Sequence, residues 1–295
     1  MKQWSWTWKI TGQQEGMLVR DYLVSVRAFS RQLLKQIKQA QGLRVNGAEV
    51  TVRKVLHAGD LVEVTLPIVK PAERLEPVPM ELVIVYQDYD LLILDKPAGL
   101  AIMPSMNHHV TLANGIVAYY EKHGVPSTVH IVTRLDKDTS GLVLVAKHAY
   151  SHSLLSTGFI GPIEKTYWAL VEGHLINKEG LIDVPIGRKE GSIIEREVNE
   201  KGQSAVTRYK VLRTLCAHSL VELELLTGRT HQIRIHMSHR GHPLAGDDLY
   251  GGSLGIMKRQ ALHCRRLAFT HPLTGEVVSC EAELPADIKR AIGNS

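Results

Sequence analysis

Apolar and polar positions alternate with period two in Trp4-Ser5-Trp6-Thr7-Trp8, which predicts a short strand with the three tryptophans on one face, packed on its own domain. From Gly16 the spacing turns helical. Gly16 to Val26 predicts a first short helix, and Ser30 is the expected N-cap of a second running to about Ala40. On that second helix Leu33, Leu34, Ile37 and Ala40 share one side, while Arg31, Lys35 and Lys38 share the other. Asn46-Gly47 then predicts a tight hairpin turn, and the alternation from Asp60 to Leu66 a further strand.

Pro67, Pro71, Pro77 and Pro79 interrupt this pattern, because so much proline sustains neither a helix nor a central strand. The expected boundary divides a first domain, 1–75, from a second, 76–295. The second domain opens with two apolar strands around a turn at Gln87 to Asp90, then a helix near Thr111 to His123. After His130 come the strand and turn of residues 132–146, a helical segment from Ala149 and a strand over Lys165 to Gly173. Strands at Ala205 to Arg213 and Ser219 to Leu226, a helix at Thr230 to Arg240 and a hairpin turning at Thr274-Gly275 complete it. Strands mostly follow one another without helical crossovers. The expected class is therefore α+β, a small αβ domain followed by a mixed, mainly antiparallel sheet.

One polar turn in this second domain carries candidate chemistry. Val132 to Gly141 reads Val-Thr-Arg-Leu-Asp-Lys-Asp-Thr-Ser-Gly, with a strand expected to end in Thr-Arg-Leu-Asp and another to restart at Leu142. Charges at such a core edge, here Arg134 and Asp136, are where tuned carboxylates occur. Asp, Thr, Ser and Gly are equally ordinary turn formers. A calcium loop is excluded, since Lys147 stands where the twelfth position needs a bidentate Glu.

Charge changes the picture of the first domain. Residues 1–75 hold 12 Lys+Arg against 6 Asp+Glu, leaving 23 against 24 for the remainder, so the whole basic excess of this +5 chain lies in its first quarter. That asymmetry suggests a polyanion-binding module joined to a body with another task. Three cysteines without CxxC spacing argue against a disulfide framework or structural zinc, and fit a reducing cytoplasm. The amino terminus lacks a continuous apolar targeting segment, and no apolar run reaches membrane-spanning length. Nothing demands more than a monomer.

The segment Leu226 to Gly251 concentrates Arg229, His231, Arg234, His236, His239 and His242. The histidine spacing matches no usual zinc set, and His231 and His236, five apart on the expected helix, point to different sides, so no metal is expected. An arginine can instead hold an interior carboxylate ionised and oriented through a bidentate pair, while others hold phosphates. Tyr167 beside Lys165 in its strand reads alone as a packing tyrosine, and Asp95-Lys96-Pro97 as a turn.

Taken together, Asp95 to Leu100 (DKPAGL), Thr133 to Lys147 (TRLDKDTSGLVLVAK), Lys165 to Gly173 (KTYWALVEG) and Thr227 to Gly251 resemble, in order, the motifs of the RluA family of pseudouridine synthases. Residues 15–68 are similar in pattern to the S4 RNA-binding domain. The resemblance implies an isomerase that moves uracil from an N1 to a C5 attachment on its ribose in RNA, without cofactor or metal. It implies Asp136 as the catalytic aspartate, Tyr167 as the active-site tyrosine and Arg234 as the carboxylate's partner. Arg134 is implied to enter the RNA stack where the base was. Arg31, Lys35 and Lys38 become expected phosphate contacts, and Lys165 and Arg229 join them as RNA-binding residues. The family usually reads His-Arg-Leu-Asp, and here Thr133 replaces the His. Large-subunit (23S) ribosomal RNA is the expected target, tRNA the alternative. An RNA N-glycosidase and a non-catalytic RNA-binding or assembly factor remain open, and so does stacking of the tryptophan face on bases.

Overall fold

The computed structural model describes residues 3–68, 75–192 and 194–293. In the first part, β1 (Ser5–Lys9), β2 (Leu43–Val45), β3 (Ala48–Glu49) and β4 (Leu61–Thr65) form an antiparallel sheet in the order β1-β4-β2-β3. Asn46 and Gly47 both take positive φ, 52° and 78°, as the hairpin turn between β2 and β3 requires. The first helix starts later than its spacing suggests. Leu18 bridges to Val55, so only α1 (Val19–Asp21) and a wider turn to Val26 are helical. α2 (Arg31–Gln39) is capped as expected, with the Ser30 hydroxyl accepting from the Leu33 N–H at 3.1 Å. Leu33, Leu34 and Ile37 are buried and Arg31, Lys35 and Lys38 exposed; Ala40 is exposed too, because the helix ends before it.

The tryptophan face packs on more than the neighbouring first 68 residues. Trp4 is buried and Trp6 and Trp8 half-buried, against His148 and Tyr150 at the start of α4 (Ala149–Ser156) as well as against Phe29. Phe29 stacks on Tyr150 at 4.0 Å, and the Tyr150 hydroxyl donates to the Arg27 carbonyl at 2.9 Å. Aromatic surface of this size gains more from mutual burial than from exposure to solvent. Protein side chains therefore already occupy this face. Pro71 lies outside the described residues, and Pro77 and Pro79 sit in chain that is neither helix nor strand.

The second part is built on β5 (Val83–Gln87), β6 (Leu91–Lys96), β7 (His130–Ile131), β8 (Ser140–Ala146), β9 (Glu164–Glu172) and β10 (Glu179–Asp183). A separate small hairpin, β11 (Ile186–Arg188) and β12 (Arg196–Val198), follows. β13 (Val206–Thr214), β14 (His218–Leu225), β15 (Leu262–Thr270) and β16 (Val277–Glu281) complete the large sheet, whose main path runs β10-β13-β14-β9-β15-β8-β6-β5. Its described pairings are antiparallel except β8 with β15. β6 and β8 are apolar on both faces because both are covered. Leu92, Leu94, Val143 and Val145 meet α3 (Leu112–His123), while Leu91, Ile93, Leu142 and Leu144 face the core around Tyr167 and Ala169.

The strand expected to end in Thr-Arg-Leu-Asp stops at Ile131. Val132 and Thr133 both donate their N–H groups to the single carbonyl of Leu144, at 2.9 and 3.2 Å, which ends the ladder and turns the chain out of the sheet. The next eight residues are a loop that leads into the start of β8.

His263, in β15, sets a pH dependence. Its ring lies between the Ser140 hydroxyl at 3.0 Å and the Ala282 carbonyl at 3.3 Å, an arrangement that suits a neutral imidazole accepting at Nδ1 and donating at Nε2. Burial pushes its pKa down to about 4, against roughly 6.5 in an unfolded chain. The unfolded state therefore binds the extra proton first as pH falls. Stability held by this group is full above about pH 6.5 and lost toward pH 4, on the order of 3 kcal/mol. His130, lowered the same way to about 4, adds to the trend. Urea midpoints measured from pH 7 to 4 are expected to fall, and His263→Gln to flatten the fall; parallel curves for the two proteins would refute the assignment.

Candidate active site

A buried lysine and a part-buried arginine fix the loop after β7. Lys96, at the end of β6, is fully buried, and its ammonium donates to the carbonyls of Pro97, Leu100 and Lys137 at 2.8 to 2.9 Å. Burial lowers its pKa to about 8, with Asp138 opposing the shift. Arg259 forks onto Asp287 at 2.7 and 3.0 Å and donates Nη1 to the Asp138 carbonyl at 2.9 Å. Asp138 thus serves the turn through its backbone. Thr133 is buried, and its hydroxyl accepts from the Leu144 N–H at 2.9 Å, satisfying a strand donor that the departing loop leaves behind.

Asp136 lies between these anchors, at the wall of a cavity of ≈ 410 Å³ that it shares with Arg134, Lys165, Tyr167, Arg229 and Arg234. Every site residue expected in the second domain therefore reaches one cavity, although Asp136 and Arg234 are 98 positions apart. Arg134 is exposed at the mouth, and Arg229 spends its Nε on the Ser204 carbonyl at 2.9 Å. The half-buried Lys165 has its pKa lowered by that burial, with the Cys264 thiol opposing. Tyr167 is buried in β9 opposite Cys264 of β15 and Leu223 of β14. Burial, reinforced by Cys264 and Asp136, holds its hydroxyl well above the ordinary tyrosine range, so it stays a neutral phenol near neutral pH.

The arginine pairing differs from the expected one. Arg234 gives Nε and Nη2 to Asp247, both at 2.7 Å, and only Nη1 to Asp136 Oδ2, at 3.2 Å. The bidentate partner is thus Asp247, which spacing did not single out. Tyr250 lies under the guanidinium, 4.9 Å from ring centre to Cζ. The helix α5 (Gln232–His239) starts after His231, whose φ of 56° places it off the helix axis run expected from Thr230. Gln232 shapes this entry by accepting from the Thr227 hydroxyl and the Arg229 N–H, both at 2.9 Å. His231 Nδ1 meets the Tyr250 hydroxyl at 2.8 Å, and its Nε2 is 3.7 Å from Asp136 Oδ2. The remaining histidines disperse: His236 binds Thr207 and the Val184 carbonyl, His242 the Glu172 carbonyl, and His239 is exposed.

A carboxylate held by one arginine N–H, beside a neutral phenol and in a cavity whose other charged lining residues are Arg134, Lys165, Arg229 and Arg234, suits a reaction on a nucleic-acid ribose with phosphates nearby. The comparison with known proteins agrees. The model of the RNA pseudouridylate synthase family matches residues 90–239, which include Asp136, Tyr167 and Arg234. The chain belongs to that family of RNA pseudouridine synthases. It is 46% identical over 281 residues to the uncharacterized RNA pseudouridine synthase YjbO of Bacillus subtilis, covering 94% of this chain and 98% of the relative. It is 38% identical over 261 residues to the ribosomal large subunit pseudouridine synthase D of Pseudomonas aeruginosa, covering 83% and 81%. Among solved structures, human RNA pseudouridylate synthase domain containing 4 superposes with a TM-score of 0.59 at 25% identity, covering 72% of this chain and 92% of that one. The protein is an RNA-binding isomerase, and no described helix is long and apolar enough to cross a membrane.

Proposed function

We propose that this synthase isomerises uridine in large-subunit ribosomal RNA, with Asp136 as the reacting carboxylate. The observation that carries the catalytic reading is the single Arg234 contact to Asp136 at the wall of the Tyr167 cavity. The name of the Pseudomonas aeruginosa relative supports the target. Flipping a uridine out of its stack costs a few kcal/mol, which Arg134 entering the gap and the Tyr167 ring against uracil offset. Asp136 then attacks C1′ of the ribose, as the nucleophile of a retaining glycosidase does, or removes a ribose proton. Either way the N1–C1′ bond breaks and uracil turns; C5 then bonds to C1′ as Asp136 leaves that carbon or returns the ribose proton, the C5 proton leaves and N1 gains one. RNA mass is unchanged. Tyr167, a neutral phenol, contributes its ring and a hydrogen bond, not a phenolate base. Lys165 and Arg229 hold phosphates of the flipped nucleotide.

Residues 1–75 act as an S4-like module that lays Arg31, Lys35 and Lys38 on RNA phosphates, and the enzyme works as a monomer in the cytoplasm, without metal or cofactor. Mapping pseudouridines in total RNA from cells with and without this gene tests the target: loss of a large-subunit site is expected, and loss confined to tRNA would replace the target. Free uracil released from RNA would replace the isomerase chemistry by base removal. Removing residues 1–75 is expected to weaken RNA binding about tenfold or more near 150 mM salt and to flatten the salt slope of log Kd. An unchanged slope would refute the module.

A further inference from the structure

Two carboxylates compete for one guanidinium in this site. Asp247 is 1% exposed and lies in a turn fixed at Gly246, where φ is 79° and a Cβ would stand 2.0 Å from the Arg259 carbonyl oxygen. Its backbone is pinned on both sides, its N–H donating to Leu244 at 3.0 Å and its carbonyl accepting from Gly252 at 2.8 Å. Asp136 sits on a loop, and its side chain is 29% exposed. The shorter, drier pair takes the fork: two bonds of 2.7 Å go to Asp247 and one of 3.2 Å to Asp136. Among the described residues, Asp136 Oδ1 accepts no hydrogen bond.

We propose that Asp247 is a positioning residue whose charge reserves the Arg234 fork, so that Asp136 is held by one oxygen and keeps the other free to react. The inference rests on the catalytic reading of Asp136 above. With Asp247 neutral, Asp136 becomes the only carboxylate within reach of Arg234. The guanidinium then turns to chelate it through both oxygens, which occupies the lone pairs the reaction needs and draws the carboxylate out of line.

The test follows tritium released from C5 of labelled uridines in total RNA from a strain lacking the gene, the position whose proton the isomerisation expels. Asp247→Asn is expected to lower kcat on the order of 10²-fold, the scale of a misplaced reacting group, with KM changed less than threefold. Asp247→Glu keeps the charge and is expected to retain kcat within about tenfold. If the folded Glu variant is as impaired as Asn, or if the loss appears in KM, packing and not charge is responsible and the proposal fails. A second background guards against misfolding of the single variant. Arg234→Lys replaces the fork by a point charge that cannot chelate, so adding Asp247→Asn to it is expected to change kcat less than threefold. A further tenfold loss in that background overturns the proposal. Activity surviving Asp136→Asn would instead overturn the catalytic reading, whereas an inactive Asp136→Asn beside a fully active Asp247→Asn sinks only this inference.

Discussion

Asp136→Asn is expected to reduce pseudouridine formation by at least about 10³-fold, equivalent to roughly 4 kcal/mol of transition-state stabilisation, while leaving the fold intact. The two halves of this expectation have separate causes. An amide has nearly the shape of the carboxylate but neither attacks C1′ nor takes a proton, so the chemical step loses its reacting group. The fold is spared because Arg234 keeps its stronger partner: the bonds to Asp247 remain, and no buried guanidinium is stranded. Thermal unfolding should move by less than about 2 °C, and RNA affinity should be equal or slightly higher, since a negative charge leaves a cavity whose other charged lining residues are cationic. The assay is tritium release from C5-labelled RNA under single-turnover conditions, with unfolding recorded on the same preparation. A variant that retains more than a tenth of the rate would remove Asp136 from the chemistry. It would leave a non-catalytic RNA-binding role for this cavity.

Local pattern carried the elements that depend on local forces. The Ser30 cap, the Asn46-Gly47 turn and the doubly buried β6 and β8 follow from hydrogen bonds and periodicities a few residues long. Three decisive features of the site depend on contacts that no short window contains. The loop leaves the sheet after Ile131 because two N–H groups share the Leu144 carbonyl, and Val132 and Thr133 are by propensity good strand residues. Lys96 reads as a polar stop after an apolar strand, yet its ammonium is buried where three loop carbonyls converge, one of them 41 positions away. An ammonium with three donors replaces solvent for those carbonyls. Asp247 was visible only as one of two adjacent aspartates, and its claim on Arg234 arises because α5 and the turn after it bring residues 13 apart into a dry corner. By contrast, Asp136, Tyr167 and Arg234 were legible through resemblance of four ordered motifs, and the fold brings all three to one wall. That these three share one site was readable, whereas the fork of Arg234 onto Asp247 was not.

Gly141→Ala is expected to destabilise the protein by about 3 to 5 kcal/mol and to lower activity more than a hundredfold. Gly141 has φ of 109°, a conformation that an L side chain rarely adopts. Strain there is only the smaller part. A Cβ would lie 2.3, 2.6 and 2.8 Å from the O, N and C atoms of Cys264, all backbone, so no side chain can swing away. β8 meets β15 in parallel only at Ser140–Gly141 against His263–Cys264, and the same Gly141 pairs with Lys96 of β6. Relieving the contact means prising apart strands that hold the end of the Asp136 loop, the Lys96 anchor and, through Cys264, the neighbour of Tyr167. Stability and rate should therefore fall together, unlike in Asp136→Asn. Gly275→Ala supplies the control. Its φ of 77° carries a similar backbone penalty but nothing lies within 4 Å of the added carbon, so a loss near 1 kcal/mol and unchanged activity are expected. Urea unfolding and single-turnover rates on the two variants separate strain from collision. Equal losses in both would show that the close approach of β8 and β15 does not hold the Asp136 loop in place.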